Sequence, residues 1–172
     1  MKRTTKGLCG LVMLAGAVFV PGCPVRFETT VKVDDSLRDK SGAMPSVEVH
    51  LIGINDTELK QWQDRSVSDY WRNVKLDPEV YVMKFGEQLP NPRVLTIKDP
   101  IWDRWDRRSA MWVVVLSSHP AADDKPGDAD MRRKILPRDP DRWAYNYWGK
   151  DQVTIVISKS RGLEVLNPPK PK

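Results

Sequence analysis

The sequence predicts a mainly β domain, a β-sandwich of roughly seven or eight short strands with a short helical insertion. Three observations lead to this prediction. Apolar residues mostly recur at every second position, as they do in strands with one buried face. Fourteen prolines interrupt the 172-residue chain too often for long helices. Turn-like stretches separate the strand segments at short intervals, which is typical of two packed sheets.

The predicted strands follow one another in chain order. Val25 to Val33 alternates between apolar residues and residues such as Glu28 and Lys32, so one face of this first strand is expected to be wet. Met111 to Leu116 is continuously apolar and is predicted as a central strand buried on both faces. The remaining strands are predicted at Val47 to Ile54, Val80 to Phe85, Arg93 to Lys98, Arg133 to Leu136, Val153 to Ser158 and Leu163 to Leu166.

Two segments depart from this two-residue period. Asn55 or Asp56 can cap a helix, and Ser66 can begin a second one, so we predict a helical insertion over Asp56 to Asn73. The segment Ile101 to Arg108, IWDRWDRR, fits either a bent edge strand or one helical turn. Its pattern does not separate these two possibilities.

The first 22 residues have the layout of a signal peptide. Basic residues precede the uncharged run Leu8 to Val20, which is short for a lasting membrane span because such a helix needs about 20 apolar residues. The run leads into Val20-Pro21-Gly22-Cys23, which resembles the bacterial lipobox, although Pro21 is unusual at its position. The resemblance implies cleavage before Cys23 and attachment of lipid, palmitate included, to its sulfur. An ordinary signal peptide would instead leave Cys23 as a free thiol, a liability in an oxidising compartment.

The predicted organisation is therefore a lipoprotein signal peptide over residues 1–22, a lipid-anchored domain over 23–166 and a disordered Pro/Lys tail over 167–172. Without the three basic residues of the leader, the 28 basic residues become 25 against 23 acidic ones. The exported part then has a net charge near +2, which is not the strong basic surface of a nucleic-acid-binding protein. Because Cys9 lies in the leader, the mature chain keeps a single cysteine and no internal disulfide.

Catalytic and metal-binding patterns are weak in this sequence. His50 lies in a predicted strand, and His119 is followed by Asp123 and Asp124 in a polar loop, a poor signal for a metal site. No serine lies in a nucleophile elbow, and Cys23 is assigned to lipid. We expect no enzyme activity, no cofactor, no metal and no small-molecule substrate.

The order of parts resembles the TssJ (SciN) family, the outer-membrane lipoproteins of type VI secretion systems. That family runs from a lipobox through an alternating strand, a polar loop and a valine-rich strand to a helical segment, and it ends in late strands. The corresponding parts here are Cys23, Phe27 to Val33, Asp34 to Ser46, Val47 to Ile54, Asp56 to Trp71, Met111 to Ser117 and Gln152 to Ile157. The segment His50 to Ile54 departs from the usual sequence of the second strand.

The resemblance implies a transthyretin-like β-sandwich, anchored by lipid at the periplasmic face of the outer membrane, that binds the periplasmic domain of the inner-membrane protein TssM. The main partner contact of the family is the loop between the first two strands, here Asp34 to Ser46. The candidate contact residues in that loop are Leu37, Arg38, Asp39, Lys40 and Met44. They combine two apolar residues with charges of both signs, as specific protein contacts do, although a solvated hairpin loop has the same composition.

A glycan- or peptidoglycan-binding envelope lipoprotein is the alternative function. The chain has seven tryptophans, and the segment Trp102-Asp103-Arg104-Trp105 combines flat rings with hydrogen-bonding groups. A contiguous patch of exposed tryptophans would favour sugar binding, whereas tryptophans in the core would favour simple packing. The six candidates are Trp62, Trp71, Trp102, Trp105, Trp143 and Trp148.

Overall fold

The computed structural model describes residues 24–74, 78–119, 125, 127–139 and 152–168. The signal peptide, Cys23, Asp123 and Asp124, the aromatic segment with Trp143 and Trp148, and the last four residues lie outside this range, so the predictions made for them stay predictions. Among the described helices, none is long and apolar enough to span a membrane.

The described strands form two four-stranded sheets, in the orders β4-β1-β7-β8 and β3-β2-β5-β6. The strands β1 and β7 pair in parallel, and the other described neighbours are antiparallel. The prediction of a mainly β sandwich with seven or eight strands is confirmed. The strands are β1 Glu28–Val33, β2 Val47–Ile54, β3 Val80–Phe85, β4 Arg93–Leu95, β5 Trp112–Ser117, β6 Arg133–Pro137, β7 Gln152–Ser158 and β8 Gly162–Val165.

The main core lies between the two sheets and takes alternate residues from each. Val31 and Val33 point inward from β1, while Lys32 between them is exposed, as the alternating pattern predicts. The second sheet contributes Val49 and Leu51 from β2 to the same core. Its other large members are Phe27, Val47, Met83, Phe85, Leu95, Ile101, Trp102, Trp105, Val113, Val115, Leu136, Val153, Ile155, Ile157 and Leu163.

The predicted helical insertion is confirmed as α1, Asp56–Asp64, and α2, Val67–Arg72. Asn55 caps α1 by accepting from the backbone N–H groups of Thr57 and Glu58, and the Glu58 side chain accepts from the Asn55 N–H in return. The helices cover the outer face of the second sheet, where their apolar residues pack with Ile52, Ile54, Val114 and Leu116. The strands β2 and β5 are therefore covered on both faces, which explains their continuous apolar sequences.

The segment whose pattern fitted two structures is a helix, α3, Ile101–Arg107. Ile101, Trp102 and Trp105 are buried on one side of it, a spacing that a helix brings onto one face. The Trp105 ring lies directly over Gly53 of β2, where a Cβ would stand 2.3 Å from its Cγ atom. The absence of a side chain at Gly53 is therefore what allows the indole to fill this end of the core.

Candidate partner-contact loop

The loop Asp34 to Ser46 joins β1 of one sheet to β2 of the other. It begins with a 3-10 helix, Asp35–Leu37, whose cap is Asp34. The Asp34 carboxylate accepts from the Ser36 N–H at 2.9 Å. The Ser36 side chain first, and then its backbone N–H, lower the pKa of Asp34. The Asp34 N–H donates to the Ile157 carbonyl at 2.8 Å, so the start of the loop is attached to β7.

Asp39 organises the tip of the loop. Its Oδ1 atom accepts from the Ser41 hydroxyl at 2.6 Å, from the Ser41 N–H at 2.8 Å and from the Ala43 N–H at 3.0 Å. These donors, the Ser41 hydroxyl first, lower the pKa of Asp39. Gly42 turns the chain with φ +85°, a conformation in which a residue with a Cβ is strained. The tip is therefore a closed turn held by its own side chain.

A second contact joins the loop to the turn after β3. Arg38 Nη1 donates to Glu87 Oε2 at 2.9 Å and to the Gly42 carbonyl at 2.7 Å. Glu87 Oε2 also accepts from the Met44 N–H at 2.8 Å, and this backbone contact, followed by Arg38, lowers the pKa of Glu87. Such exposed pairs contribute little to global stability. Their effect is to hold the loop in one shape before any partner arrives.

The five predicted contact residues have different surroundings in the structure. Leu37 and Met44 are partly buried and pack against the main core, so these two apolar residues face inward for most of their surface. Arg38 and Asp39 are engaged inside the loop, and Lys40 is exposed at its tip. Lys40, Ser41, Gly42 and Ala43 form the exposed tip. The partner-binding role of the five residues stays a prediction.

Glu87 is the loop-shaping residue that the sequence did not indicate. It lies 49 positions from Arg38 and 43 from Met44, in a turn whose composition only predicts a turn. Since charged turn residues are common, no pattern distinguishes it from solvated neighbours. Only the pairing of β2 with β3, which places Val47 opposite Phe85, brings this turn beside the loop.

The sugar-binding face proposed at Trp102 and Trp105 is wrong, because both rings are fully buried. Their ring centroids lie 4.9 Å apart in an edge-to-face contact inside the main core. The other described tryptophans, Trp62, Trp71 and Trp112, are partly buried against the outer face of the second sheet. Within the described part of the chain, the tryptophans therefore make no contiguous exposed patch.

A cavity of about 320 Å³ lies beside the helical insertion. Its aromatic wall, Trp62 and Tyr70, is covered by Arg65, whose guanidinium carbon lies 4.8 Å from the Trp62 ring centroid and 5.1 Å from the Tyr70 centroid. The Tyr70 hydroxyl is 2.5 Å from His50 Nδ1, and burial raises the pKa of Tyr70 to about 12. The polar groups of this wall thus serve the packing of α2 on β2.

Both described histidines are buried, and each has a ring nitrogen within hydrogen-bond distance of a neighbouring side chain. His50 Nε2 lies 2.9 Å from a Glu48 oxygen, and burial lowers the pKa of His50. His119 Nδ1 lies 2.8 Å from the Ser117 hydroxyl, and burial also lowers the pKa of His119. Among the described residues, no three histidine, cysteine, aspartate or glutamate side chains are grouped so that they could hold a metal ion.

No protein-family model matches the chain, and no curated protein matches it in sequence. Solved structures of type VI secretion proteins do match it. The chain resembles them in fold. Pseudomonas aeruginosa TssJ1, described as a type VI secretion lipoprotein, gives a TM-score of 0.45 at 12% identity, over 87% of this chain and 98% of that chain.

Two further structures show the same likeness. Serratia marcescens Lip, described as a membrane-bound component of the type VI secretion system, gives a TM-score of 0.48 at 15% identity, over 82% of this chain and 96% of that chain. A structure described as the C-terminal domain of TssM from EAEC gives 0.49 at 12% identity, over 82% of this chain and 100% of that chain. At these identities and TM-scores the likeness says nothing about what this chain binds.

Proposed function

We propose that this protein is a lipid-anchored structural subunit of the type VI secretion trans-envelope complex, attached through Cys23 to the periplasmic face of the outer membrane. Its partner is the periplasmic domain of a TssM-like inner-membrane protein, which binds the loop Asp34 to Ser46. The lipobox-like sequence before Cys23 supports the anchor, and the order of parts along the chain supports the family.

The observation that carries the proposal is the prior ordering of the loop. Asp39 closes the tip, and the contact between Arg38 and Glu87 holds the loop against the neighbouring turn. A loop that is already in one conformation loses less entropy when it binds, so more of the contact energy appears as affinity. Lys40 stands at the exposed tip and is the residue best placed to meet an acidic group of the partner.

Binding to the purified periplasmic domain of a TssM-like protein from the same organism tests the proposal. We expect Lys40→Glu to weaken binding about ten-fold, which corresponds to about 1.4 kcal/mol. The matched control is Lys98→Glu, also an exposed lysine, which lies after β4 at the other end of β1 from the loop. The control should bind like the native chain.

Replacing the whole segment Leu37 to Met44 by Gly-Ser is a stronger perturbation but a less specific one, because Leu37 and Met44 also pack on the core. The thermal unfolding of that variant must therefore be measured beside its binding. Equal binding of the native chain, Lys40→Glu and a folded Gly-Ser variant would show that the loop takes no part. If the native chain does not bind, the proposal of a TssM-like partner is wrong.

A further inference from the structure

The residues that directly follow Cys23 and Pro24 are attached to the sandwich from Val25 onward. The Val25 N–H donates to the Arg138 carbonyl at 3.0 Å, and the Val25 carbonyl accepts from Arg138 Nε at 3.0 Å. Phe27 is fully buried, with its ring centroid 5.3 Å from that of Trp102. Three consecutive residues thus lose their freedom immediately after the predicted lipid site.

Arg138 is the centre of this attachment and is fully buried. Besides Val25, it donates from Nη1 to the Ala110 carbonyl at 2.9 Å and from Nη2 to Asp106 Oδ1 at 2.6 Å. Its guanidinium carbon also lies 5.1 Å from the Trp102 ring centroid. A buried arginine with several partners is costly to displace, because each group would be left without its hydrogen bond.

Arg26 adds a second connection on the surface. Its guanidinium donates to Asp106 Oδ2 at 2.5 Å and to Asp103 Oδ1 at 2.7 Å. Asp106 therefore joins Arg26 on one side to Arg138 on the other. We name this group, Val25 to Phe27 with Asp103, Asp106 and Arg138, the N-terminal clasp.

The clasp limits how far the domain can move from its anchor. In a chain cleaved before Cys23, two residues, Cys23 and Pro24, precede Val25, and two extended residues span at most about 7 Å. The strand β1 then runs for six residues, about 20 Å, before the loop Asp34 to Ser46 begins. Anchor and loop therefore lie at opposite ends of one strand.

We propose that the clasp end of the sandwich lies against the lipid headgroups and that the clasp orients the contact loop away from the membrane. This inference rests on the proposed lipid anchor at Cys23. The clasp side chains that reach the surface are charge-paired, with the partly exposed Arg26 between the exposed Asp103 and the partly exposed Asp106. This pairing suits the polar headgroup layer and not insertion among acyl chains. β1 thus sets the distance between the lipid anchor and the partner-binding loop.

The test uses the full chain, expressed and processed in a bacterial host, purified and placed in vesicles of phosphatidylethanolamine and phosphatidylglycerol. A fluorophore is introduced through a genetically encoded azido residue, either at Arg107, beside the clasp, or at Lys40, at the loop tip. Both positions are exposed. A nitroxide on the lipid headgroup quenches a fluorophore only at short range. We expect quenching at position 107 to exceed quenching at position 40 several-fold.

Two variants examine the cause of this difference. A Gly-Ser linker inserted after Pro24 leaves the clasp intact but lengthens the tether, and it should lower quenching at position 107 to the level found at position 40. Arg26→Ala removes the ion pairs with Asp103 and Asp106 from a partly exposed side chain, and it should reduce the difference in part. Lys32→Ala, an exposed change on β1, is the matched control and should leave the difference unchanged.

Mass spectrometry of the N-terminal peptide separates the two levels of the proposal. If Cys23 carries acyl groups but the two positions are quenched equally, the orientation by the clasp is wrong and the anchor stands. If Cys23 carries no acyl group, the anchor is wrong, and the membrane-facing role of the clasp falls with it. Unequal quenching that the inserted linker leaves unchanged would also overturn the short tether as its cause.

Discussion

Replacing Arg138 by methionine should cost the domain about 3–5 kcal/mol of unfolding free energy. Methionine keeps much of the apolar length of the side chain but removes the donors to Val25, Ala110 and Asp106. Two backbone carbonyls lose their partners at about 1–3 kcal/mol each when they stay buried, and Asp106 loses one of its two arginines. The sum agrees with the cost of breaking a buried ion pair from one side.

Urea denaturation of the unacylated mature chain, followed by tryptophan fluorescence, measures this difference. The matched control is Arg161→Met, because the Arg161 side chain is 69% exposed and its contact with Glu164 lies on the surface. We expect the control to change stability by less than about 0.5 kcal/mol. For a domain of this size, the Arg138 variant should also lose about 10 °C or more in melting temperature.

The reasoning is refuted if Arg138→Met and Arg161→Met unfold at the same urea concentration. That outcome would mean that water replaces the lost donors around Val25 and Ala110 at no cost. Arg138→Lys separates charge from geometry, since lysine keeps the charge but lacks the planar set of donors. It should recover only part of the loss.

Two further predictions concern the core and the buried histidines. Gly53→Ala places a Cβ 2.3 Å from Trp105 Cγ and should lower the free energy of unfolding by about 3 kcal/mol. The control Gly86→Ala, whose Cβ would lie 3.8 Å from Leu89, should lower it far less. Equal urea midpoints for the two variants would contradict the clash with Trp105. Burial holds the pKa values of His50 and His119 below 6.5, so the unfolded chain binds protons that the folded chain does not. The free energy of unfolding should therefore be highest above about pH 6.5 and fall as the pH decreases below it. Replacing both histidines by glutamine should flatten this dependence. A free energy of unfolding that rises toward about pH 5.5 would contradict the prediction.

In the proposed complex, β1 would connect the clasp at the lipid anchor to the contact loop at the partner. If the proposed anchor and partner contact both hold, any force between them would pass through this domain. That path would enter at Val25, follow β1 and leave at Asp34, whose N–H donates to the Ile157 carbonyl of β7. β1 pairs with β7 over six residues in parallel and with β4 on its other side. The load would therefore be shared across a sheet and not carried by one strand.

Much of the secondary structure follows from the sequence alone. The segments Val47 to Ile54 and Val80 to Phe85 have the predicted bounds, because side-chain alternation is a local property of each strand. The cap at Asn55 and the burial of Val113 to Leu116 also follow from the local sequence, whereas Met111 and Trp112, predicted as buried, are partly exposed. The strand Arg93 to Lys98 was predicted too long, since pairing with β1 ends at Leu95. Asn167, assigned to the tail, instead accepts from the Thr154 N–H at 2.7 Å.

Only the tertiary structure decides which groups the individual side chains contact. The sequence could not show that Arg138 binds the Val25 carbonyl 113 positions away, or that Glu87 holds the loop in shape. The sequence also suggested Trp102 and Trp105 as sugar-binding residues, whereas α3 places both rings in the core. Periodicity records which face of an element is apolar, because that depends on neighbours a few residues apart. Which distant group meets that face depends on how the sheets pack, and no local pattern records it.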